Sequence, residues 1–265
     1  MPDLFSPAAL TALAVCAGAA AATVIGSLLV FRTNPHNPRM LAFGLAFSGG
    51  AMVYVSLVEI FNKALTSFTE AYGAKLGYTY ATLSFFGGVA MLALIDRLVP
   101  NPHHGMEGAS DKAAQERLKR VGLLAAAAIT AHNFPEGLAT FFATLDNPVV
   151  GAPLAFAIAI HNIPEGVSIA IPVYYATGSK RSAILAACIS ALAEPVGAII
   201  GYLVLAPFLS PVVFGAVFGV IAGVMVFLAL DELMPEAKRY SKGHEAAYGM
   251  IVGMGAMAMS LVLFK

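Results

Sequence analysis

Eight stretches of this chain are too long and too apolar to be core elements of a water-soluble domain. They cover about 8–31, 40–61, 77–99, 121–143, 151–175, 182–207, 212–234 and 247–264. Crossing hydrocarbon takes roughly 17–25 mostly apolar residues. Lipid offers the backbone no hydrogen-bond partner, so each span must satisfy its own amides, and helix is the default. A barrel would need short alternating strands, and that pattern is absent. The expected fold class is all-α: a polytopic membrane protein of eight transmembrane helices, one transmembrane domain over 1–265 with no soluble domain. Composition agrees. The chain is 59% hydrophobic and 11% charged, against about 45–50% and about 25% in soluble domains. The formal net charge is zero, so no basic surface points to nucleic acid. Cys16 and Cys188 lie in apolar segments and read as small buried hydrophobes. The N-terminus lacks a positive n-region, so the first span is expected to be retained.

Lysine and arginine set the orientation. With eight helices, one side receives Arg32, Arg39, Arg97, Lys112, Arg117, Lys119, Arg120, Lys180, Arg181, Lys238, Arg239 and Lys242. The other receives Lys63, Lys75 and Lys265. A missed helix would have scrambled this bias. It places both termini outside the cytoplasm, in a multi-pass protein of the cytoplasmic (inner) membrane. Connections are short except the cytoplasmic loop at about 100–120. Small residues recur at four-residue spacing in Gly197/Gly201, Gly215/Gly219/Gly223 and Gly249/Gly253. Such faces let helix backbones approach closely. Packing within the bundle is the favoured use, and a homodimer seam is the alternative.

One hexapeptide occurs twice inside these apolar runs. His132-Asn133-Phe134-Pro135-Glu136-Gly137 is followed 29 residues later by His161-Asn162-Ile163-Pro164-Glu165-Gly166. Ionisable groups in mid-membrane are costly and mark function by default. His132 and Glu136 are i and i+4, so they share a helical face with Asn133 beside them. The second copy repeats the pattern. Counted from the loop near 147, the two motifs lie about 13 and 16 residues in, or some 20 Å deep at about 1.5 Å per residue. Glu194, followed by Pro195, reaches the same level from the next helix. Three carboxylates crowded into low dielectric repel one another. No lysine or arginine lies at that depth, so a bound cation is the simplest neutraliser. Imidazole with carboxylate suits Zn²⁺, Fe²⁺, Mn²⁺, Co²⁺ and Ni²⁺. Seven donors exceed one tetrahedral site, and two metals bridged by Glu136 and Glu165 would use them better. Pro135, Pro164 and Pro195 each remove a helical hydrogen bond. They are expected to kink their helices and to free the carbonyls of Ala131, Ile160 and Ala191, a transporter device.

The paired motifs, Ala193-Glu194-Pro195 and Leu230-Asp231-Glu232-Leu233-Met234-Pro235 resemble the ZIP (Zrt-/Irt-like) metal transporters. The resemblance is nearest to their bacterial zinc-uptake branch and covers essentially the whole chain. It implies uptake of divalent transition metals, chiefly zinc, with iron, manganese, cobalt and cadmium as further cargo. The ions are substrates, and no cofactor or enzymatic activity is implied. One metal site would use His132, Glu136, His161 and Glu165. The second would use Asn133, Asn162 and Glu194, with Glu136 and Glu165 bridging. Asn162 stands where some relatives have aspartate, which lowers the charge of the second site. The resemblance also implies an elevator-like shift of helices 1, 4, 5 and 6 against the others.

Further positions lie along a possible path. Ser56 and Glu59, near the outer end of helix 2, resemble an entrance. Asp231, Glu232 and Glu236, at the cytoplasmic end of helix 7, could form an exit or simply cap the helix. His103 and His104 could collect metal, or be ordinary loop residues, as His36 and His244 are. Asp96 and Arg97 read as an interfacial pair. Two other functions fit a buried His/Glu site: an intramembrane zinc-dependent hydrolase and a proton/cation antiporter. A zinc protease would want His-Glu-x-x-His, which does not occur. Paired histidines without a lysine partner argue against the antiporter. The orientation has a direct test. A C-terminal epitope tag should be clipped by protease added outside intact spheroplasts, and protection of the tag would reverse the topology.

Overall fold

The computed structural model describes residues 4–29, 38–98, 130, 133–208 and 210–263. Among these there are helices and turns and no strand. Helix α1 is Pro7–Leu29. Helix α2 starts as Pro38–Val55, passes through a π-helical turn at Ser56–Ile60 and continues over Phe61–Tyr72. Helix α3 is Ala74–Leu98. The continuous described part of α4 is 133–146. Helix α5 is Pro148–Thr177 and α6 is Lys180–Leu205. Helix α7 starts as Pro211–Leu228, passes through a second π-helical turn at Ala229–Leu233 and ends as Met234–Tyr240. Helix α8 is Glu245–Leu263. The expected loop at about 100–120 and the first part of the expected fourth helix lie outside the described residues.

Six of these helices, α1, α2, α3, α6, α7 and α8, are long and apolar enough to cross a membrane. The chain is a multi-pass membrane protein. Two helices outrun their apolar stretches. Helix α2 continues past 61 to Tyr72, and α7 past 234 to Tyr240. Their extensions are amphipathic. Ala64, Phe68 and Ala237 are buried, whereas Asn62, Thr66, Lys238 and Arg239 face outward. Hydropathy finds the segment that lipid can surround, while the helix runs on as long as one face has a neighbour to pack against.

The turns carry their own signals. Gly73 ends α2 at φ 79° and donates its N–H to Thr69 O, and Gly178 ends α5 at φ 65° and donates to Tyr174 O. Both conformations favour glycine. Asn147 caps α5 by accepting from Val149 N ahead of Pro148, and Ser210 caps α7 by accepting from Val213 N ahead of Pro211.

The helices pack in parallel pairs, each seated at glycines. A Cβ on Gly26 of α1 would strike Ile163 O of α5, and one on Gly166 would strike Thr23 O of α1. Gly50 and Gly253 do the same for α2 and α8, against Met250 O and Phe47 O. Gly88 and Gly223 do so for α3 and α7, against Val220 O and Phe85 O. Gly137 and Gly197 do so for α4 and α6, against Glu194 O and Phe134 O. In every pair a glycine from each helix faces a carbonyl oxygen of the other. The glycine faces expected from four-residue spacing are therefore filled inside the bundle: Gly201 meets Leu138, Gly215 the Phe68 ring, and Gly249 the Phe43 carbonyl. A homodimer would have to use another surface.

The pairs gather into two groups. Helix α1 packs on α5 and α6, and α5 packs on α6. Helix α4 joins them through Gly137 and Gly197. Helices α2, α3, α7 and α8 pack on one another through α2–α8, α3–α7, α2–α3 and α2–α7. The groups meet where α5 lies against α2 and α8, and where the Phe142 ring of α4 sits edge-on to Phe214 of α7.

Neighbouring glycines make a sharp test of this packing. Gly88 faces Val220 O, but a Cβ on Gly87 would meet nothing within 4 Å. Gly88→Ala should destabilise the protein by about 1–3 kcal/mol through overpacking. Gly87→Ala should be neutral or slightly stabilising, because alanine is the better helix former. Thermal unfolding in detergent reads the difference, and equal melting temperatures would contradict the packing described.

Candidate functional site

Each motif folds as uninterrupted helix over its described residues. Helix α5 is helical through Pro164, and α6 through Pro195. The helices are continuous at these prolines and not broken. Five expected donors are almost completely buried: Asn133, Glu136, Asn162 and Glu194 at 0% exposure and Glu165 at 1%. Burying so many polar groups is tolerable only where each has a partner or a ligand.

The two asparagines are held in one manner. Asn133 of α4 donates its Nδ2 hydrogens to Ser190 O and Ser190 Oγ of α6, both at 3.1 Å. Asn162 of α5 donates Nδ2 to Ala19 O of α1 at 3.1 Å and to Glu194 Oε1 of α6 at 2.7 Å. Both N–H bonds of each amide are thus used on neighbouring helices. Each Oδ1 is left turned away from those donors. Asn133 Oδ1, Asn162 Oδ1 and Glu194 Oε2 are buried and have no hydrogen-bond partner among the described residues. Three acceptor oxygens in this state would be a standing cost unless a cation or water meets them.

These residues share one layer. Asn162 and Glu194 are in direct contact, and Ser190, which holds Asn133, lies one turn before Glu194 on α6. Glu136 and Glu165 are both close enough for their charges to act on Glu194. Glu136 and Glu165 therefore lie near Glu194, which is bonded to Asn162. His132 lies outside the described residues. The backbone of His161 is helical within α5. Among the described residues no group of three or more His, Cys, Asp or Glu is arranged to hold a metal ion. What the structure brings together is the oxygen-rich set on α4, α5 and α6.

Several parts of this arrangement carry no sequence signature. The Ala19 carbonyl binds Asn162 because α1 lies against α5. Cys16 Sγ donates to Gly137 O at 3.8 Å, tying α1 to α4. Ser190 stands four residues before Glu194 on the same helical face, a spacing that would have marked it. The final glycine of each hexapeptide turns out to be a packing residue. Gly137 seats α6 against α4 at Glu194, and Gly166 seats α1 against α5 at Thr23.

The remaining candidates fall elsewhere. Ser56 and Glu59 lie on the π-helical turn of α2, with Ser56 fully buried and Glu59 half-buried. Asp231 and Glu232 lie on the π-helical turn of α7, exposed and half-buried respectively. Each turn packs against the other helix of the α2–α7 pair. Such turns carry an extra residue and are frequent at functional positions. Glu236 pairs with Arg239 at 3.1 Å, a helix-end contact. The His244 ring lies beside Tyr248. His103, His104 and His36 lie outside the described residues.

Comparison with known proteins bears on this chamber. Residues 99–261 match the family described as ZIP Zinc transporter. The zinc transporter ZupT of Stenotrophomonas maltophilia (strain K279a) is 63% identical over 257 residues, 96% of each chain. That of Neisseria meningitidis serogroup C (strain FAM18) is 60% identical over 268 residues, covering 100% of this chain and 99% of its own. That of Streptococcus mutans (strain UA159) is 47% identical over 257 residues, covering 96% and 97%.

The asparagine geometry predicts a measurable cost. Asn162→Leu keeps the volume but leaves Glu194 Oε1 and Ala19 O without their donor. In metal-free protein it should lower stability by about 1–3 kcal/mol, read as a lower melting temperature in chelator. An unchanged melting temperature would show that this bond is not formed.

Proposed function

The chain belongs to the ZIP zinc-transporter family, and on that premise we propose that it takes up divalent transition-metal ions, chiefly zinc, across the cytoplasmic membrane. The observation that carries this reading is the set of buried oxygens without partners at Asn133, Asn162 and Glu194. They sit beside two further buried glutamates, in a layer where the sequence supplies no lysine or arginine. A desolvated cation completes the hydrogen-bonding and charge of such a chamber, and an enzyme's substrate groove is not needed to explain it.

The ligand set follows the sequence. His132, Glu136, His161 and Glu165 form a nitrogen-rich site suited to zinc. Asn133, Asn162 and Glu194 form a second, harder oxygen site, with Glu136 and Glu165 bridging the two ions. Neutral imidazoles and carboxylates bind the ion, and affinity falls as they take up protons. Iron, manganese, cobalt and cadmium compete for the same donors, in an order set by geometry and availability.

Eight spans and extracytoplasmic termini are supported by the directions of the packed pairs. Helices α1 with α5, α3 with α7, α2 with α8 and α4 with α6 each run parallel, as the order of their glycine contacts requires. Helices α2 and α7 run antiparallel, since Gly49 faces Ala229 and Leu233 while Gly215 faces Phe68. Odd helices thus share one direction and even helices the other, as eight alternating spans demand. Helix α5 has 30 residues, about 45 Å at the helical rise. It is long enough to cross together with α4. The grouping of α1, α4, α5 and α6 supports a movement of that unit, with its metal, against the unit of α2, α3, α7 and α8.

Uptake of radioactive zinc into metal-starved cells or vesicles tests the assignment. His132→Ala, Glu136→Ala and Glu165→Ala should nearly abolish uptake. Asn162→Ala and Glu194→Ala should change rate or selectivity. Uptake at the wild-type level in the Glu136 variant would refute the site. Zinc-dependent hydrolysis of a peptide or lipid by the purified protein would favour the hydrolase reading instead.

A further inference from the structure

Helix α1 forms a wall of the chamber that carries none of the ligands named above. It carries no Asp, Glu, His, Lys or Arg over Pro7–Leu29. It nevertheless touches every other wall: α4 through Cys16 and Gly137, α5 through Ala19 and Asn162, and α6 along its length.

Thr23 of α1 is fully buried, and its Oγ1 has no hydrogen-bond partner among the described residues. Thr140 of α4 is also buried without a partner for its hydroxyl among the described residues, but other helical threonines of this chain are bonded. Thr11, Thr79, Thr82, Thr144 and Thr177 each donate to the carbonyl four residues earlier, at 2.7–2.9 Å. A helical threonine satisfies its hydroxyl in this way by default. For Thr23 that carbonyl belongs to Ala19, and Ala19 O instead accepts from Asn162. The chamber asparagine takes the acceptor that Thr23 would ordinarily use.

The position of Thr23 is also defined. Its own carbonyl abuts Gly166, the residue after Glu165. Ala19, four residues earlier, is level with Asn162. Thr23 is therefore level with Glu165, one turn along α1 from the Asn162 contact. It lies on nearly the same face as Cys16, seven residues before it, which points at α4. A buried hydroxyl oxygen thus lies near the depth of Glu165, on α1, which packs against α5 and α6.

We propose that Thr23 Oγ1 is a neutral oxygen ligand for the transported divalent ion at the level of Glu165, a fourth wall of the binding chamber supplied by α1. The inference rests on the transport reading above. The hydroxyl donates a lone pair to the ion, and no bond is made or broken. A neutral donor adds coordination without adding charge, so it helps hold the ion without deepening the site further.

Replacement of the donor atom tests this. Thr23→Val keeps shape and removes the oxygen. Thr23→Ser keeps the oxygen. Thr23→Cys exchanges it for sulfur, which softer ions prefer. Radioactive zinc and cadmium uptake are measured in vesicles containing wild-type or variant protein, normalised to the amount of folded protein by size-exclusion profile. Thr23→Val should slow zinc uptake about tenfold, the scale of losing one supporting group at a metal site. Thr23→Ser should restore most of it. Thr23→Cys should raise the cadmium-to-zinc uptake ratio several-fold. If Thr23→Val transports zinc normally, or if Val and Cys behave alike with no change in the ratio, Thr23 is a packing residue and the proposal falls. If wild-type vesicles take up neither ion, it is the transport reading that fails, and the two failures are separable.

Discussion

Contact between glycine and a facing carbonyl is the interaction on which the rest of this structure depends. In a membrane, apolar surface has no solvent to escape from, so helices associate through close packing and weak polar contact. Here four parallel helix pairs each bring a glycine from one helix against a carbonyl oxygen of the other, in both directions. Contacts at that distance exclude any side chain and suit weak Cα–H···O bonds. Two of the eight glycines are the last residues of the repeated hexapeptides, Gly137 and Gly166. The segments that carry the buried asparagines and glutamates and the segments that dock the helices are therefore the same. The position of the buried polar residues and the helix packing are coupled by sequence adjacency.

That docking lets the asparagines act as more than donors of one oxygen. Because α4 and α6 touch at Gly137 and Gly197, the Asn133 amide reaches both oxygens of Ser190. Because α1 and α5 touch at Gly26 and Gly166, the Asn162 amide reaches Ala19 O. Each side chain spends its N–H groups on another helix and turns its Oδ1 away. The result is a set of neutral acceptors beside three carboxylates, with one carboxylate oxygen of Glu194 held by Asn162. Amides in this arrangement bring oxygen close to an ion while adding no charge to a layer already crowded with it.

The relation between motif and geometry is uneven along the chain. The depth count that put Glu136, Glu165 and Glu194 in one layer needed only helical rise and loop positions, and in the structure Glu136 and Glu165 are buried near enough for their charges to act on Glu194. The prolines suggested broken helices, yet α5 and α6 run through Pro164 and Pro195. A missing amide hydrogen bond removes one contact, and neighbouring helices packed at glycine hold the backbone straight enough to stay helical. The π-helical turns at Ser56–Ile60 and Ala229–Leu233 left no mark in residue type. They arise where α2 and α7 pack and the chain accommodates one extra residue, a matter of fit between two surfaces.

The sequence by itself determined the class of fold, the count of apolar stretches, their orientation bias and the identity of the polar residues at mid-depth. These follow from local quantities: transfer energy summed along a helix and spacing along its axis. Only the tertiary structure decided which way each asparagine amide points, that Ala19's backbone and Ser190 hold them, and that Thr23 is left with an unused oxygen. Those outcomes depend on which helix lies beside which and at what register. That is set by shape complementarity at glycine contacts between residues far apart in the chain.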